Sequence, residues 1–168
     1  MLGRGLLVAA LVAALDRISK QALLSHFHEV ACGITHEETI TSFLKLVLTC
    51  NAGVSFGLLN RSGLSSLIFA IGALVIILVL VVWLSRVRAS LLAVAIGLVI
   101  GGAIGNVTDR LRFGGVIDFL YFHASAWYWP AFNLADSAIC LGVAAMLLEG
   151  MLSRRATAQG KGREDLSP

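Results

Sequence analysis

Long uncharged stretches divide this chain into segments that can cross a bilayer. No charged residue lies in 62–85 or in 89–108. Each stretch supplies the roughly 20 apolar residues that a membrane-spanning helix needs. The pattern therefore predicts two spanning helices, over 65–85 and 89–108.

Two further segments predict spans in which charged residues occur. The segment 4–24 begins with the apolar run "GLLVAALVAAL" and then carries Asp16 and Lys20, which share a helix face at a spacing of four and can neutralise each other. The segment 130–151 starts at Pro130, a residue that suits a first helical turn. Together with the uncharged stretches, these segments predict a bundle of four spans.

The two long connections between the predicted spans are expected to contain strands. The first, within 26–61, contains "TITSFLKLVLTCNAGVSFG", and the second, within 110–129, contains "GGVIDFLYF". Both are rich in β-branched and aromatic residues and are interrupted by glycine. We therefore predict an all-α membrane protein with a small extramembrane sheet, forming one domain over 1–155. A disordered tail is expected over 156–168, since this segment is polar.

Composition and charge exclude two broad classes. Of the 168 residues, 58% are hydrophobic and 14% charged, whereas a soluble domain has about 25% charged residues. The net charge of +3 is not gathered on a face with interleaved aromatic residues, so nucleic-acid binding is not indicated. Basic residues lie at Arg4, between the second and third spans, and after the fourth. This distribution predicts that both termini are cytoplasmic.

Asp136 is the discordant residue of the fourth span. A carboxylate near the middle of a bilayer costs roughly 2.5–3.5 kcal/mol, so Asp136 is either a protonated or paired structural group or part of a site. Asp118, in "VIDF", is the second acid of interest, although alone it resembles an exposed strand residue. Two carboxyls in a low-dielectric site share one proton, and the pair can activate water on a carbonyl without a metal. This is aspartyl-protease chemistry.

Polar residues also end the third span. Gly97, Gly101 and Gly105 are spaced by four, which favours close helix packing, and Asp109 continues the same face. Asn106 and Arg110 lie beside it. From spacing alone, Asp109 and Arg110 could equally form a neutralised structural pair.

The remaining reactive side chains predict little. No metal-ligand spacing, zinc motif or G-x-S-x-G motif occurs, so neither a metal site nor a serine hydrolase is expected, and no cofactor is predicted. Cys32 and Cys50 could pair, but we expect free thiols there, with Cys140 as a small buried residue. The histidines without an evident ligand partner are His26, His28, His36 and His123.

Five ordered blocks resemble those of the lipoprotein signal peptidases, also called signal peptidase II. The blocks are "ALDRISK" (14–20), "NAGVSFG" (51–57), "GGAIGNVTDR" (101–110), "GVIDF" (115–119) and "FNLADS" (132–137). Members of that family are aspartyl proteases of the bacterial inner membrane. They cut the signal peptide from prolipoproteins before a diacylglyceryl-modified cysteine.

The resemblance implies roles for residues of each block. It makes Asp118 and Asp136 the catalytic pair and Arg110 a contact to substrate carbonyls. Arg17 stands where the family more often has Gln. The supporting and substrate-binding residues that it implies are Asp16, Lys20, Asn51, Gly53, Asn106, Asp109, Arg110 and Asn133.

The resemblance also implies surroundings and partners. The extramembrane part would be the family's β-cradle and a short periplasmic helix near 57–64, with the active site facing the periplasm. Partners would be diacylglyceryl-modified prolipoproteins and membrane lipids, with the cyclic peptide globomycin as inhibitor and a monomeric enzyme.

Two rival functions belong to other classes. A small transporter or proton-relay subunit would use Asp16, Asp109 and Asp136 as relay carboxyls, but no inverted repeat is evident. A non-catalytic assembly factor would use the same polar pairs only to hold helices together.

Overall fold

The computed structural model describes residues 1–30, 35–51, 64–125 and 127–164, with no side-chain description for Leu64 or beyond residue 153. Four helices and four strands occur in these ranges. In chain order they are α1 (Leu2–His26), β1 (His36–Thr39), β2 (Leu44–Asn51), α2 (Leu64–Arg86), α3 (Ser90–Phe113), β3 (Val116–Ala124), β4 (Trp127–Tyr128) and α4 (Leu134–Glu164).

Three of these helices are long and apolar enough to cross a membrane. The candidate spans are Ser65–Arg86, Ser90–Phe113 and Leu134–Ser153. The predicted span 4–24 coincides with α1 but is not among them, because its second half carries charged residues. The chain is thus helical, with three candidate spans and a small antiparallel sheet.

Helix α3 is the centre of the bundle. It contacts α1, α2 and α4, and 67% of its span is buried inside the protein, against 22% for α2 and 17% for α4. The side of α3 that carries Gly97, Gly101 and Gly105 packs against α1. A Cβ on Gly101 would lie 2.6 Å from the backbone oxygen of Ala9. Glycine is needed there because the two backbones approach too closely for a side chain.

The sheet lies at the end of the bundle where α3 ends and α4 begins. Its antiparallel order is β1-β2-β3-β4, with a register shift between Leu46 and Thr49 of β2. Gly114 ends α3 in the left-handed conformation, with φ 75°, a common C-terminal signal. The chain then runs directly into β3, and Phe132 pairs with Leu120 of β3 just before α4 starts. Both segments that carry the paired acids therefore meet at the sheet.

Helix boundaries differ from those predicted. Helix α3 runs past residue 108 to Phe113, because Asp109 and its charged neighbours interrupt the hydropathy but not the helix. Helix α4 begins at Leu134 rather than Pro130, since Asn133 caps it. It also extends beyond residue 151 to Glu164, across part of the segment predicted to be disordered.

Two cysteine expectations are wrong. Cys50 is disulfide-bonded rather than a free thiol, and its predicted counterpart Cys32 lies outside the described residues. Cys140 is a free thiol but is exposed rather than buried, because its face of α4 points away from the bundle. The short helix predicted near 57–64 lies almost wholly outside the described residues.

Candidate active site

Asp136 lies in the first turn of α4, where it takes part in the helix cap. The side-chain Oδ1 of Asn133 accepts from the backbone N–H of Asp136 at 2.9 Å, and the carboxylate of Asp136 accepts from the backbone N–H of Asn133 at 3.3 Å. This reciprocal pair is a capping box with Asp in place of the usual Glu or Gln. The N-terminal end of a helix favours a negative charge, so the cap also helps to hold the carboxylate of Asp136.

Asp118 reaches the same place from the sheet. It is the third residue of β3, and 2% of it is exposed. Its carboxylate accepts from Asn133 Nδ2 at 2.7 Å and from Asn51 Nδ2 at 3.2 Å. Asn133 therefore contacts both acids, with its amide on Asp118 and its backbone on Asp136.

The pKa of Asp118 is raised from 3.8 to about 6, first by burial and then by the negative charge of Asp136, against the lowering effect of the hydrogen bonds from Asn51 and Asn133. The protonated form of Asp118 is consequently populated near neutral pH. A carboxyl that is protonated in this way can act as the proton donor beside a second carboxyl.

A buried ion cluster lies beneath the two acids. Lys20, with none of its side chain exposed, is 2.8 Å from Asp16 and 2.7 Å from Asp109. The predicted neutralisation of Asp16 by Lys20 is therefore confirmed by geometry. Asp109, in contrast, pairs with Lys20 of α1 and not with its neighbour Arg110. Such a cluster is stable only when all its members are present.

The carboxylates of this cluster also fix the backbone around the acids. Asp16 accepts from the backbone N–H of Ala135 at 2.9 Å, and Asp109 accepts from that of Ile117 at 3.2 Å. Ala135 and Ile117 immediately precede Asp136 and Asp118 in the chain. The cluster thus ties the backbone of both acids to α1 and α3.

Asn106 connects the ion cluster to the acids. Its Oδ1 accepts from Lys20 Nζ at 3.4 Å and from Asn133 Nδ2 at 3.3 Å, and its Nδ2 donates to Asp136 at 2.8 Å. Lys20 can only donate hydrogen bonds. Its ammonium therefore favours the orientation of Asn106 in which the amide nitrogen points to Asp136.

A groove on the side of the helix bundle reaches this network. It lies between α2, α3 and α4, has a volume of about 530 Å³, and is mostly apolar, with Asn106 and Arg110 at its polar end. Arg110 donates to the backbone oxygen of Asn106 at 3.3 Å, and its guanidinium carbon lies 5.8 Å from the ring centroid of Phe69. Within the described part of the chain, its Nε is buried and has no hydrogen-bond partner. The groove can hold an apolar chain with a polar group at this end.

Most of the predicted site residues lie in one network. Its members are Asp16, Lys20, Asn51, Asn106, Asp109, Asp118, Asn133 and Asp136, with Arg110 alongside. Gly53 lies outside the described residues. Sequence reasoning missed Phe69, which belongs to a uniformly apolar helix and carries no local signal, and the backbone groups of Ile117 and Ala135, which no side-chain pattern reveals.

Two of the four histidines, His26 and His36, lie on the sheet side of the bundle and pair with glutamates. His26 is 2.7 Å from Glu38, and His36 is 2.8 Å from Glu29. In the described part of the chain, no group of three or more His, Cys, Asp or Glu side chains could hold a metal ion.

Comparison with known proteins finds similar enzymes over most of the chain. Residues 8–152 match the family model described as signal peptidase (SPase) II. A lipoprotein signal peptidase of Azoarcus sp. (strain BH72) is 47% identical over 146 residues, covering 84% of this chain and 79% of the relative. One of Rhodopseudomonas palustris (strain TIE-1) is 38% identical, covering 90% and 94%. A solved bacterial membrane enzyme (in meso method, 2.3 Å resolution) has a TM-score of 0.72 at 27% identity, with 90% of each chain covered.

Proposed function

Because this chain belongs to the signal peptidase II family, we propose that Asp118 and Asp136 are the catalytic pair with which it removes signal peptides from prolipoproteins. The chain is a protease of that family, and neither rival function is favoured. The observation that carries the assignment is the shared contact of both carboxylates with Asn133. Two acids held by one residue can act on one water molecule.

The two acids have different tasks in the proposed reaction. Asp136, at the helix N-terminus, takes a proton from water as the oxygen attacks the scissile carbonyl carbon. Asp118, whose pKa is about 6, holds the other proton and donates it to the carbonyl oxygen. As the tetrahedral intermediate collapses and the C–N bond breaks, Asp136 gives its proton to the leaving nitrogen and a hydroxyl of the intermediate returns a proton to Asp118. Cleavage consumes one water and returns the pair to its starting state.

The lining of the groove supports the proposal that the substrate is linked to lipid. Its apolar walls suit an acyl chain or the apolar stretch of a signal peptide, and Arg110 at the polar end can donate to peptide carbonyls. We propose that the cleaved bond precedes a diacylglyceryl-modified cysteine, with Asn51 and Gly53 near the substrate.

The direct test replaces each acid by its amide. The purified chain is incubated with a diacylglyceryl-modified prolipoprotein, and cleavage is followed by the mass of the products. We expect Asp118→Asn and Asp136→Asn each to abolish cleavage, since neither leaves a pair that can both accept and donate a proton. Parent-level cleavage by either folded variant would refute the assignment.

Two controls separate catalysis from structure. Glu37→Gln, on the exposed face of β1, removes a negative charge away from the network and should cleave at the parent rate. Thermal unfolding of each variant in detergent shows whether it is folded. A chelator should leave the parent rate unchanged, and metal-reversible inhibition would refute a metal-free mechanism.

The proposed location is the bacterial inner membrane. Helix α1 would be a fourth span, because Asp16 and Lys20 are buried against α3 rather than facing lipid. Both termini would then be cytoplasmic, with the sheet and the acids toward the periplasm. Fluorescent-protein fusions to each terminus should both be bright, since the usual reporters fold only in the cytoplasm; a dark fusion at either end would refute this topology.

Two partner proposals follow from the same family likeness. Globomycin should block cleavage by competing with the prolipoprotein, and the enzyme should act as a monomer. Inhibition measured at several substrate concentrations, with the mass of the detergent-solubilised protein from light scattering, tests both.

A further inference from the structure

A second cavity lies at the end of the bundle opposite the acids. Its volume is about 540 Å³, and it is an open cleft lined by the α2–α3 connection, the residues next to it and the middle of α4. Volumes of about 300–1,000 Å³ are typical of small-molecule sites. Glu149 lies thirteen residues beyond Asp136 on α4, about 20 Å along the helix. The cavity is therefore separate from the active site.

The lining of this cavity carries both signs of charge. Arg86 and Arg88 line it from the α2–α3 connection, and Glu149 lines it from α4. Among the described residues, no ion pair joins Glu149 to either arginine. Three ionised groups thus surround one space without neutralising each other directly.

Apolar and aromatic groups complete the wall. Leu92 and Met146 line the cavity and pack against the hydrophobic core, and Trp83, 43% exposed, is at its edge. Tryptophan is enriched where hydrocarbon meets the polar headgroup region. The cavity therefore lies at the depth of the lipid headgroups, with apolar surface continuing toward the acyl chains.

The start of α3 contributes further positive charge to this cavity. Its N-cap residue Ala89 also lines the cavity and supplies no side-chain cap, so backbone N–H groups of the first turn have no capping side chain. Arg4 of α1 donates to Ser90 at 3.0 Å, bringing a third guanidinium to this end.

We propose that this cavity binds the headgroup of a phospholipid that carries both a phosphate and a primary ammonium, the phosphatidylethanolamine class. Arg86 and Arg88 bind the phosphate, and basic pockets between spanning helices suit this role. Glu149 binds the ammonium, while Leu92 and Met146 contact the first methylenes. A purely anionic headgroup would leave Glu149 facing phosphate, and a choline headgroup could not donate a hydrogen bond to it.

Lipid retention by the purified, delipidated full chain tests the proposal. Native mass spectrometry compares dioleoyl phosphatidylethanolamine, phosphatidylglycerol and phosphatidylcholine, each added singly. We expect phosphatidylethanolamine to be retained most strongly. Arg86→Gln and Arg88→Gln should each weaken its retention about fivefold, the equivalent of about 1 kcal/mol per basic residue.

Glu149→Gln tests the ammonium contact separately. It should abolish the preference for phosphatidylethanolamine over phosphatidylglycerol while leaving phosphate-dependent retention in place. Arg112→Gln is the matched control, because it removes an exposed arginine from the opposite end of α3 and should not change retention. Unfolding temperatures show that each variant is folded.

Two results would overturn the proposal. These are stronger retention of phosphatidylglycerol by the parent chain, and unchanged retention of phosphatidylethanolamine in a folded variant with both Arg86→Gln and Arg88→Gln. No readout involves cleavage, so the outcome is independent of the catalytic assignment.

Discussion

At the residue scale, buried polarity is concentrated in one place. Among the described residues, eight polar or charged side chains are buried, and all but Ser65 and Ser66 belong to the network around the two acids. Burying such groups is costly unless each has a partner. The network meets this condition with side chains from α1, β2, α3, β3 and α4, so it is both the most specific part of the molecule and the part most sensitive to substitution.

The raised pKa of Asp118 predicts a stability that depends on pH. Because its pKa in the folded protein is about 6, above its ordinary 3.8, the stability it contributes is fully present below about pH 4 and is lost as pH rises through about 6. The loss is about 3 kcal/mol. We expect the apparent unfolding temperature to fall across this interval.

Asp118→Asn provides the matched comparison, because the amide stays neutral at every pH. Its unfolding temperature should change less between about pH 4 and pH 7 than that of the parent chain, and it should be the more stable of the two near pH 7. If the unfolding temperatures of the two proteins change with pH in parallel, Asp118 does not titrate in this interval.

Lys20 should be the most sensitive single position for stability. Lys20→Met leaves the buried carboxylates of Asp16 and Asp109 without a cation, and breaking a buried pair in this way costs about 3–5 kcal/mol. Denaturation in detergent should show a lower free energy of unfolding for Lys20→Met than for the parent chain.

Partial rescue distinguishes this electrostatic effect from lost packing. Adding Asp16→Asn and Asp109→Asn to Lys20→Met makes the cluster neutral, and we expect the triple variant to be more stable than Lys20→Met alone. If the added substitutions only destabilise further, the charge of Lys20 is not what holds the cluster.

At the scale of elements, α3 organises the molecule because it lacks side chains where α1 must approach. The same spacing of four that places glycine against Gly5 and Ala9 places Asp109 against Lys20 one turn further on. Close backbone contact in the apolar part thus sets the register of the ion cluster. The same face of α3 therefore provides both the close packing against α1 and the ion pair with Lys20.

Gly101→Ala should therefore destabilise the bundle. Its new Cβ would lie 2.6 Å from the backbone oxygen of Ala9 and 2.7 Å from Val12 Cβ, so the helices must separate, at a cost of about 1–3 kcal/mol. Gly72→Ala on α2 is the control, because a Cβ there meets nothing within 4 Å. Equal unfolding temperatures for the two variants would contradict close α1–α3 packing.

At the scale of the whole molecule, the groove between α2, α3 and α4 reaches Asn106, which contacts Asp136. Ala73 of α2 lines it in the apolar part. Ala73→Trp should fill this space, raising KM for the lipid-modified prolipoprotein about tenfold or more, with a smaller change in kcat because the acids are untouched.

Leu78→Trp is the companion variant, since Leu78 is on the same helix with 67% of its surface exposed. It should leave KM near the parent value. Steady-state cleavage of the prolipoprotein in mixed micelles gives both constants. An unchanged KM for Ala73→Trp would show that the substrate does not use this groove.

The sequence by itself indicated that α2 and α3 are long apolar helices, that strands occur in the two long connections, and which residues are candidates for the site. These follow from local properties: uncharged length, β-branched runs and ordered motif blocks. It misplaced the start of α4, since hydropathy and Pro130 do not reveal that Asn133 forms the cap. It also left open the partner of Asp109, because α1 and α3 are 89 positions apart at Lys20 and Asp109.

Only the tertiary structure decided how the residues act together. Asp118 and Asp136 meet because β3 returns from α3 to the start of α4, and Asn133 can contact both only there. Hydrogen bonds and desolvation act over a few ångströms, and the distances between residues far apart in the chain are set by packing, not by sequence order. For the same reason, no sequence pattern indicated the groove or the second cavity at the opposite end of the bundle.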